Sequence, residues 1–493
     1  MQDLKEKTIR GGFVRILAQG ANFAIRIGSL MVLARLLDPR DFGLLSMVTA
    51  FTGVLTLFRD FGLSTVTVQA ETTNEKQTST LFWLNVLFGI VLTLITACFS
   101  PVFAKFYHEP RLMAVSLAVA SSFFFNAIGI QHGALLQREM RFTALAVINV
   151  TSLVVSNGIA ILMAMNGFGY WSLVVMTIGA PLVTSIGSWI ASGWIPGPPS
   201  RGVGMRWIAK FGGIVTLNGV IVYIAYNLEK VLLGWFWGAE VIGLYGRAYQ
   251  LVNIPIDNSN YAIGEVALAA LSRIQNDAQQ MRNYFLKGYS LVIGFTVPIT
   301  FICALFGDDM IAVLLGPKWK AAAPIFRLLA PTILMFAMMN PFAWLLYATG
   351  KVVRSLQIAF AIAPLVITGY LIGLPYGPKG VALGYSIAMT LWLLPHIVWC
   401  VRGSAITFMD VMRTVSRPIL SSVIAAGLSQ LLLFTVPEPF PPLPRLSINV
   451  AFFTLIYAGI LLFAMGQKSL YMNLLQGVFP RLARNKQHLQ DAS

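Results

Sequence analysis

The sequence predicts an all-α polytopic membrane protein with about fourteen transmembrane helices. Of its 493 residues, 57% are hydrophobic and only 11% are charged. Apolar segments of about 20 residues, the length that spans a bilayer, recur fourteen times. Lys and Arg concentrate in alternate connections between these segments, as they do in the cytoplasmic loops of membrane proteins. The predicted spans are 11–36, 42–61, 80–103, 112–136, 143–165, 170–195, 207–233, 241–267, 284–306, 323–348, 355–374, 381–401, 419–436 and 448–465.

The distribution of Lys and Arg predicts an even number of spans with both termini in the cytoplasm. The side that holds both termini carries 22 of the 35 cations, among them three that lie close to the ends of spans (Arg15, Lys210 and Lys287). The other side carries 7, and the remaining 6 lie within spans. The net charge of +16 therefore sets membrane topology and does not indicate nucleic acid as a partner.

A weak internal repeat predicts two pseudo-symmetric six-helix lobes. The second span opens with residues 42–45 (FGLL) and the eighth with residues 242–245 (IGLY), an offset of 200. A Pro- and Gly-rich linker at 194–201 separates the halves, since these residues stop helices. We therefore predict an N-terminal lobe at 1–195, a C-terminal lobe at 196–401, two extra helices at 402–466 and a cytoplasmic amphipathic tail at 467–493. Duplicated halves with a site between them are typical of transporters.

The first span carries a polar stripe on an otherwise apolar helix. Arg15, Gln19, Asn22, Arg26 and Ser29 follow one another at intervals of four, three, four and three, which places them on one helix face. A charge at bilayer depth costs at least about 2.5 kcal/mol, so Arg26 should face a bundle interior or a wet cavity. A hydrogen-bonded packing role for Arg26 is the structural alternative.

The second span carries a matching stripe that ends in a cation. Its members are Ser46, Thr49, Thr52, Thr56 and Arg59. Arg59 is followed by Asp60 near the predicted inner surface, so interfacial anchoring competes with a role in binding.

Polar faces recur on the seventh and eighth spans, which repeat the places of the first two. Lys230 ends a face that includes Tyr223 and Tyr226, while Gln250, Asn253 and Asp257 share a face on the eighth span with Arg247 nearby. Four polar faces in matching positions predict one central cavity between the halves. Helix packing is the alternative for the tyrosines, and anchoring near a helix end is the alternative for Lys230.

Motifs that carry enzyme chemistry are missing from the sequence. It has no phosphate-binding glycine loop, no zinc-ligand spacing and no nucleophile elbow. Cys98, Cys303 and Cys400 are far apart in apolar runs, and His132 and His396 are isolated, so we expect no metal, disulfide or cofactor. The sequence disfavours an enzyme.

Three stretches give the chain a family resemblance. Residues 34–43 (ARLLDPRDFG), 61–64 (FGLS) and 133–142 (GALLQREMRF) resemble the polysaccharide exporters of the multidrug/oligosaccharidyl-lipid/polysaccharide superfamily, in the colanic acid and lipopolysaccharide branch.

The resemblance implies a bacterial inner-membrane flippase for undecaprenyl-diphosphate-linked oligosaccharide, with a cationic central cavity and polysaccharide-assembly proteins as candidate partners. Arg26, Arg59, Lys230 and Arg247 would then meet the diphosphate. From the polar faces themselves we predict that Gln19, Asn22, Gln250 and Asn253 bind substrate and that Asp257 couples an ion.

Two other functions stay open at this point. A small-molecule antiporter of the same superfamily would be expected to carry acidic residues in its first half, whereas the first six spans carry Arg26 and no carboxylate at mid-membrane depth. A membrane glycosyltransferase or polymerase would need a sizeable outer loop with catalytic groups, and the outer loops here are short.

Overall fold

The predicted all-α architecture is confirmed by the computed structural model. It describes residues 2–59, 64, 67–68, 74–200, 205–433, 440–469 and 471; within them, the side chains of 2–18, 205–218, 257–263, 265–266, 269, 352 and 432–433 are not described. Each of the fourteen predicted spans overlaps a helix. Nine helices or helix pairs within the described residues are long and apolar enough to cross a membrane.

Long helices follow one another through the chain with short turns between them. They are α1 Gln2–Leu36, α2 Pro39–Thr56, α3 Glu75–Phe106, α4 Arg111–Arg138, α5 Phe142–Met165, α6 Tyr170–Ser192, α7 Met205–Arg273, α8 Ala278–Leu305, α9 Gly307–Leu314, α10 Ala322–Leu329, α11 Pro331–Ala348, α12 Val352–Gly373, α13 Gly377–Val401, α14 Phe408–Leu433 and α15 Pro442–Gly459.

Helix α7 contains both the seventh and the eighth predicted spans. A kink at Gly238, where φ is 81°, divides it. This φ lies in the left-handed region that glycine adopts without steric cost, so the chain turns there without a loop. The two predicted spans are therefore separate helical arms of one element.

The chain folds into two compact units, each assembled from segments that are separate in the sequence. The first unit contains Met1–Ala248, Leu314–Ile325 and Leu356–Tyr385, and the second contains Tyr249–Val313, Phe326–Ser355 and Ser386–Ser493. The lobe boundaries at 195/196 and 401/402, and a cavity between the lobes, stay predictions, and the tail beyond residue 471 lies outside the described residues.

In the first unit, helices α3 to α6 pack closely against one another, and α1 packs on α5. The predicted linker is fastened to α3 by three hydrogen bonds. The Gly197 amide donates to Ser79 Oγ at 3.0 Å, the Ser200 amide donates to Thr80 Oγ1 at 2.9 Å, and the Trp83 indole donates to the Gly197 carbonyl at 2.9 Å.

The repeated motifs at 42–45 and 242–245 meet within the first unit. A Cβ atom placed on Gly43 would lie 1.7 Å from the Ala239 carbonyl oxygen, and one placed on Gly243 would lie 1.9 Å from the Pro39 carbonyl oxygen. Only glycine permits so close a backbone approach. The start of α2 and the second arm of α7 therefore cross at these glycines.

In the second unit, α8 packs on α11 and α14, and α14 packs on α15. Phe306, Phe453 and Tyr457 form a buried cluster in this unit. Arg445 and Asp309 form a bidentate ion pair in which Nε donates to Oδ2 at 2.9 Å. The pair joins α15 to α9, because each residue lies at the start of its helix.

Candidate functional site

A polar cavity lies among helices of the first unit. It consists of two chambers that share Gln19, Asn22, Arg59 and Asn149 as lining residues. We call the larger, of about 720 Å³, the mid-helix chamber because it reaches the middle of α1 and α4 to α6. We call the smaller, of about 500 Å³, the helix-end chamber because it extends to the end of α4 and the start of α5.

Helix α1 brings three of its polar residues to this cavity. Gln19 and Asn22 line both chambers, and Arg26 lines the mid-helix chamber. Their spacing of three and four residues keeps them on one face of the helix. Asn22 Oδ1 itself is buried without a hydrogen-bond partner among the described residues.

The second predicted stripe contributes only its end to the cavity. Thr56 and Arg59 line the mid-helix chamber. The hydroxyls of Ser46 and Thr52 donate to helix carbonyls four residues earlier, at 2.9 and 3.2 Å. Such local bonds satisfy a hydroxyl inside an apolar helix.

The described residues that line the cavity carry positive charge. Arg26 and Arg59 are its cations, and no Asp or Glu is among the described residues that line either chamber. Within the described part of the chain, Arg26 forms no ion pair, and its side chain is exposed to the cavity. The local field therefore favours an anionic ligand.

Helices α4 to α6 supply an uncharged polar wall that the sequence analysis did not identify. Its members in the mid-helix chamber are Ser122, Asn126, Asn149, Ser152, Thr177 and Thr184. In the sequence, this wall could have been recognised only from Asn126 and Asn149, which stand within apolar runs. Scattered polar residues on an apolar helix are, however, equally consistent with packing.

Two of the four predicted cations lie away from this cavity. Lys230 Nζ donates to Asn227 Oδ1 at 2.5 Å. The Arg247 guanidinium lies over the Phe42 ring, 4.2 Å from its centroid. Phe42 stands at the start of α2 and Arg59 beyond its end, roughly 25 Å apart at 1.5 Å per residue. The structure therefore does not bring Arg247 to the chambers lined by Arg26 and Arg59.

The remaining predicted residues fall in the second unit. Gln250 and Asn253 belong to it, on the second arm of α7. The side chain of Asp257 lies outside the described residues. Their roles in substrate binding and ion coupling stay predictions.

Glu229 is a buried carboxylate that the sequence analysis passed over. It is 0% exposed on the first arm of α7, and neither of its carboxylate oxygens has a hydrogen-bond partner among the described residues. An ionisable group at such a position is costly to bury and is commonly functional in membrane proteins.

Several aromatic and histidine side chains are packed in the bundle. The Tyr223 hydroxyl donates to the Thr49 carbonyl at 3.1 Å, and Tyr245 is 0% exposed. His132 is buried, with Nδ1 2.8 Å from Ser192 Oγ and its ring 4.1 Å from the Trp189 ring. Within the described residues, no three His, Cys, Asp or Glu side chains come together as a metal site would need.

Solved transporters share this fold. The lipid II flippase MurJ, in an inward closed conformation, superposes with a TM-score of 0.75 and 15% identity over 94% of this chain and 100% of that chain. An inward-facing multidrug resistance MATE family transporter of the MOP superfamily gives a TM-score of 0.63 and 12% identity over 80% of this chain and 95% of that chain.

Sequence relatives support the resemblance drawn from residues 34–43, 61–64 and 133–142, which is confirmed. The lipopolysaccharide biosynthesis protein WzxC of Escherichia coli (strain K12) is 26% identical over 79% of this chain and 80% of its own length. The teichuronic acid biosynthesis protein TuaB of Bacillus subtilis (strain 168) is 28% identical over 59% of this chain and 61% of its own length. A family model described as polysaccharide biosynthesis protein matches residues 32–324 of the 493, and the chain therefore belongs to that family.

Proposed function

We propose that this protein moves an undecaprenyl-diphosphate-linked oligosaccharide across the bacterial inner membrane by alternating access. The observation that carries the proposal is the polar cavity of the first unit, which holds Arg26 and Arg59, no carboxylate among its described lining residues, and an uncharged polar wall. The family and the names of its relatives support polysaccharide assembly as the setting.

The chemistry of the cavity suits a diphosphate. The planar guanidinium of arginine donates two parallel hydrogen bonds to phosphate oxygens, which a lysine ammonium cannot do. Arg26 is free of carboxylate partners among the described residues, so an entering anion does not have to displace one. Arg26 and Arg59 are therefore the residues that we assign to the diphosphate.

The size and polarity of the cavity suit the first sugars of a glycan. Glycan hydroxyls cannot cross hydrocarbon unpaired, since each buried polar group without a partner costs a few kcal/mol. A chamber of about 720 Å³ lies within the range of small-molecule sites, roughly 300–1,000 Å³. It would hold a diphosphate with one or two sugars, while the rest of the oligosaccharide would extend into water.

We infer that both termini lie in the cytoplasm, from the 22 Lys and Arg residues on their side against 7 on the other. With the cell interior negative, two negative charges moving outward across 100 mV would release about 4.6 kcal/mol, at roughly 2.3 kcal/mol per charge. Membrane potential would therefore assist export. Asp257 remains our candidate for coupling an ion to the same cycle.

The two other functions are less consistent with the cavity. An antiporter of cationic drugs would need a carboxylate to attract its substrate, and the described lining contains Arg26 and Arg59 instead. A glycosyltransferase or polymerase would need acid, base or metal groups beside the substrate. We therefore infer a transporter and not an enzyme.

The decisive experiment replaces Arg26 in cells whose surface polysaccharide depends on this protein. Arg26→Ala should reduce surface polymer and cause the lipid-linked precursor to accumulate, while the protein still inserts into the membrane. Loss of a hydrogen bond to a charged group costs about 1.5–3 kcal/mol, so transport should fall roughly 10- to 100-fold. Arg26→Lys should retain more activity than Arg26→Ala because it keeps the charge.

Arg40→Ala is the matched control. Arg40 is also an arginine of the first unit, but it is exposed and pairs with Glu109 at 2.9 Å away from the cavity. It should export normally. Normal export by an Arg26→Ala, Arg59→Ala double variant would contradict the proposed site.

A further inference from the structure

The wall contributed by α4 to α6 contains two kinds of polar side chain. Its hydroxyls are engaged within the protein: Ser152 Oγ donates to the Ala180 carbonyl at 2.7 Å, and Thr184 Oγ1 donates to Ser152 Oγ at 2.9 Å. Ser122 and Thr177 donate to carbonyls of their own helices at 2.6 and 2.9 Å. The single donor of each of these four hydroxyls is therefore already occupied.

The two asparagines of the wall are different. Asn126 on α4 and Asn149 on α5 line the mid-helix chamber, and neither forms a hydrogen bond with another described residue. An asparagine amide offers two donors and an acceptor. Together the pair presents four donors and two acceptors to the chamber without any net charge.

Two other asparagines, Asn157 on α5 and Asn166 directly after its end, are satisfied locally. Asn157 donates to the Leu153 carbonyl at 2.7 Å, and Asn166 donates to the Leu162 carbonyl at 2.7 Å. An asparagine on this helix can therefore donate to the carbonyl four residues earlier. Asn149, which faces the cavity, does not form this bond.

An uncharged amide pair beside two arginines suits the part of the substrate that follows the diphosphate. A pyranose presents hydroxyl groups around its rim and C–H groups on its faces. The asparagines can donate to and accept from the hydroxyls. Leu153 lines the same chamber and supplies apolar surface for the ring face.

We infer that Asn126 and Asn149 bind the first sugar, an uncharged pyranose attached directly to the diphosphate, and that they set the preference of the protein for a glycosylated lipid over a bare one. This inference rests on the proposed function. It assigns the phosphate to the arginines and the sugar to the amides of a single chamber.

The test measures the affinity of the full-length protein in lipid nanodiscs for two ligands. One is undecaprenyl diphosphate, and the other is undecaprenyl diphosphate carrying a single glucose, a plain neutral pyranose. Wild-type protein should bind the glucosylated lipid about tenfold more tightly, which corresponds to about 1.4 kcal/mol. The Asn126→Ala, Asn149→Ala double variant should bind both lipids with the wild-type affinity for the sugar-free lipid.

Two comparisons separate this inference from the proposed function. Arg26→Ala should weaken binding of both lipids by the same factor, because both carry the diphosphate. Asn166→Ala, which replaces an exposed asparagine at the far end of α5, should leave both affinities unchanged.

Wild-type protein that binds neither lipid overturns the proposed function and this inference with it. Wild-type protein that binds both lipids equally overturns the inference alone. A double asparagine variant that loses affinity for both lipids in parallel also overturns the inference. The amides would then maintain the shape of the cavity and would not bind the sugar.

Discussion

Three arginines of the described residues have three different roles. Arg26 faces the polar cavity, Arg247 stacks on the Phe42 ring and Arg445 pairs with Asp309. The side chain is the same, so the neighbours decide whether it is available to a ligand. A cation in an apolar span is therefore a candidate for binding only when no carboxylate or aromatic ring already engages it.

Arg282 stabilises the start of helix α14, a position that lies outside the predicted spans. Arg282 Nε donates to Asp410 Oδ2 at 3.0 Å, and the Thr407 amide donates to the same oxygen at 3.0 Å. The Asp410 amide in turn donates to Thr407 Oγ1 at 3.2 Å. Thr407 and Asp410 thus form a reciprocal cap at the start of α14.

We expect this cap to make thermal stability depend on pH. Hydrogen bonds from Arg282 and Thr407 hold the pKa of Asp410 well below its usual range. The folded state therefore binds this proton less readily than the unfolded state, so the stabilisation is complete above the ordinary carboxyl pKa of about 3.9 and is lost as pH falls. Asp410→Asn should lower the melting temperature at pH 7, and its difference from wild type should shrink toward pH 3.

The control is Asp277→Asn, at the start of α8. Asp277 accepts a hydrogen bond from the Gln280 amide at 2.9 Å, a role that asparagine also performs. This variant should melt near the wild-type temperature. Equal melting temperatures for Asp410→Asn and wild type at pH 7 would contradict the assigned role of the cap.

At the scale of elements, the crossing of α2 with the second arm of α7 is the tightest contact related to the internal repeat. Gly43 and Gly243 occupy corresponding places in the two motifs, and each faces a backbone carbonyl of the other element. The two copies of the repeated motif therefore contact each other in the folded protein.

Replacing Gly43 should destabilise the protein. In Gly43→Ala, the new Cβ would lie 1.7 Å from the Ala239 carbonyl oxygen, so one helix would have to move. Overpacking of this kind costs typically about 1–3 kcal/mol. We expect a lower melting temperature in detergent and less protein in the membrane.

Gly158→Ala on α5 is the matched control, because a Cβ at Gly158 meets no atom within 4 Å. Alanine favours the helix, so this variant should be neutral or slightly stabilised. A Gly43→Ala protein as stable as Gly158→Ala would show that the two elements separate freely at this crossing.

At the scale of the whole molecule, one short segment provides a test of the transport cycle that we propose. Residues 314–325 belong to the first unit, although the chain before and after them belongs to the second. Trp319 of this segment is 0% exposed, and its indole donates to the Ala34 carbonyl at 2.7 Å. Lys318 Nζ lies 2.8 Å from Asp38 Oδ1. These contacts bind the segment to the turn between α1 and α2.

If this turn opens during the transport cycle, fixing the segment to it should stop transport. Asp38→Cys with Lys318→Cys, joined by a cleavable thiol crosslinker, should block export of surface polymer, and reduction should restore it. Export that continues at the same rate after complete crosslinking would show that the contact persists through the cycle.

A second pair of cysteines provides the control for crosslinking itself. Arg40 and Glu109 form an ion pair at 2.9 Å between the start of α2 and the turn before α4, wholly within the N-terminal part of the first unit. Arg40→Cys with Glu109→Cys joined by the same reagent should leave export unchanged, because both positions belong to one continuous bundle.

The sequence by itself determined the fold class, the fourteen spans and the polar face of α1. Hydrophobic length and helical period are local properties, so Gln19, Asn22 and Arg26 could be placed on one face without knowledge of any neighbour. The same reasoning placed Arg59 near the end of the second predicted span, and in the structure it follows α2 and lines both chambers.

Only the tertiary structure decided which side chains complete the cavity. Asn126 and Asn149 are about a hundred residues from Arg26 along the chain, and each is one of several scattered polar residues on a mostly apolar helix. The engagement of Arg247 by Phe42 and the burial of Glu229 likewise depend on contacts between distant segments. Period and composition describe one helix at a time, whereas a cavity is formed by the packing of several.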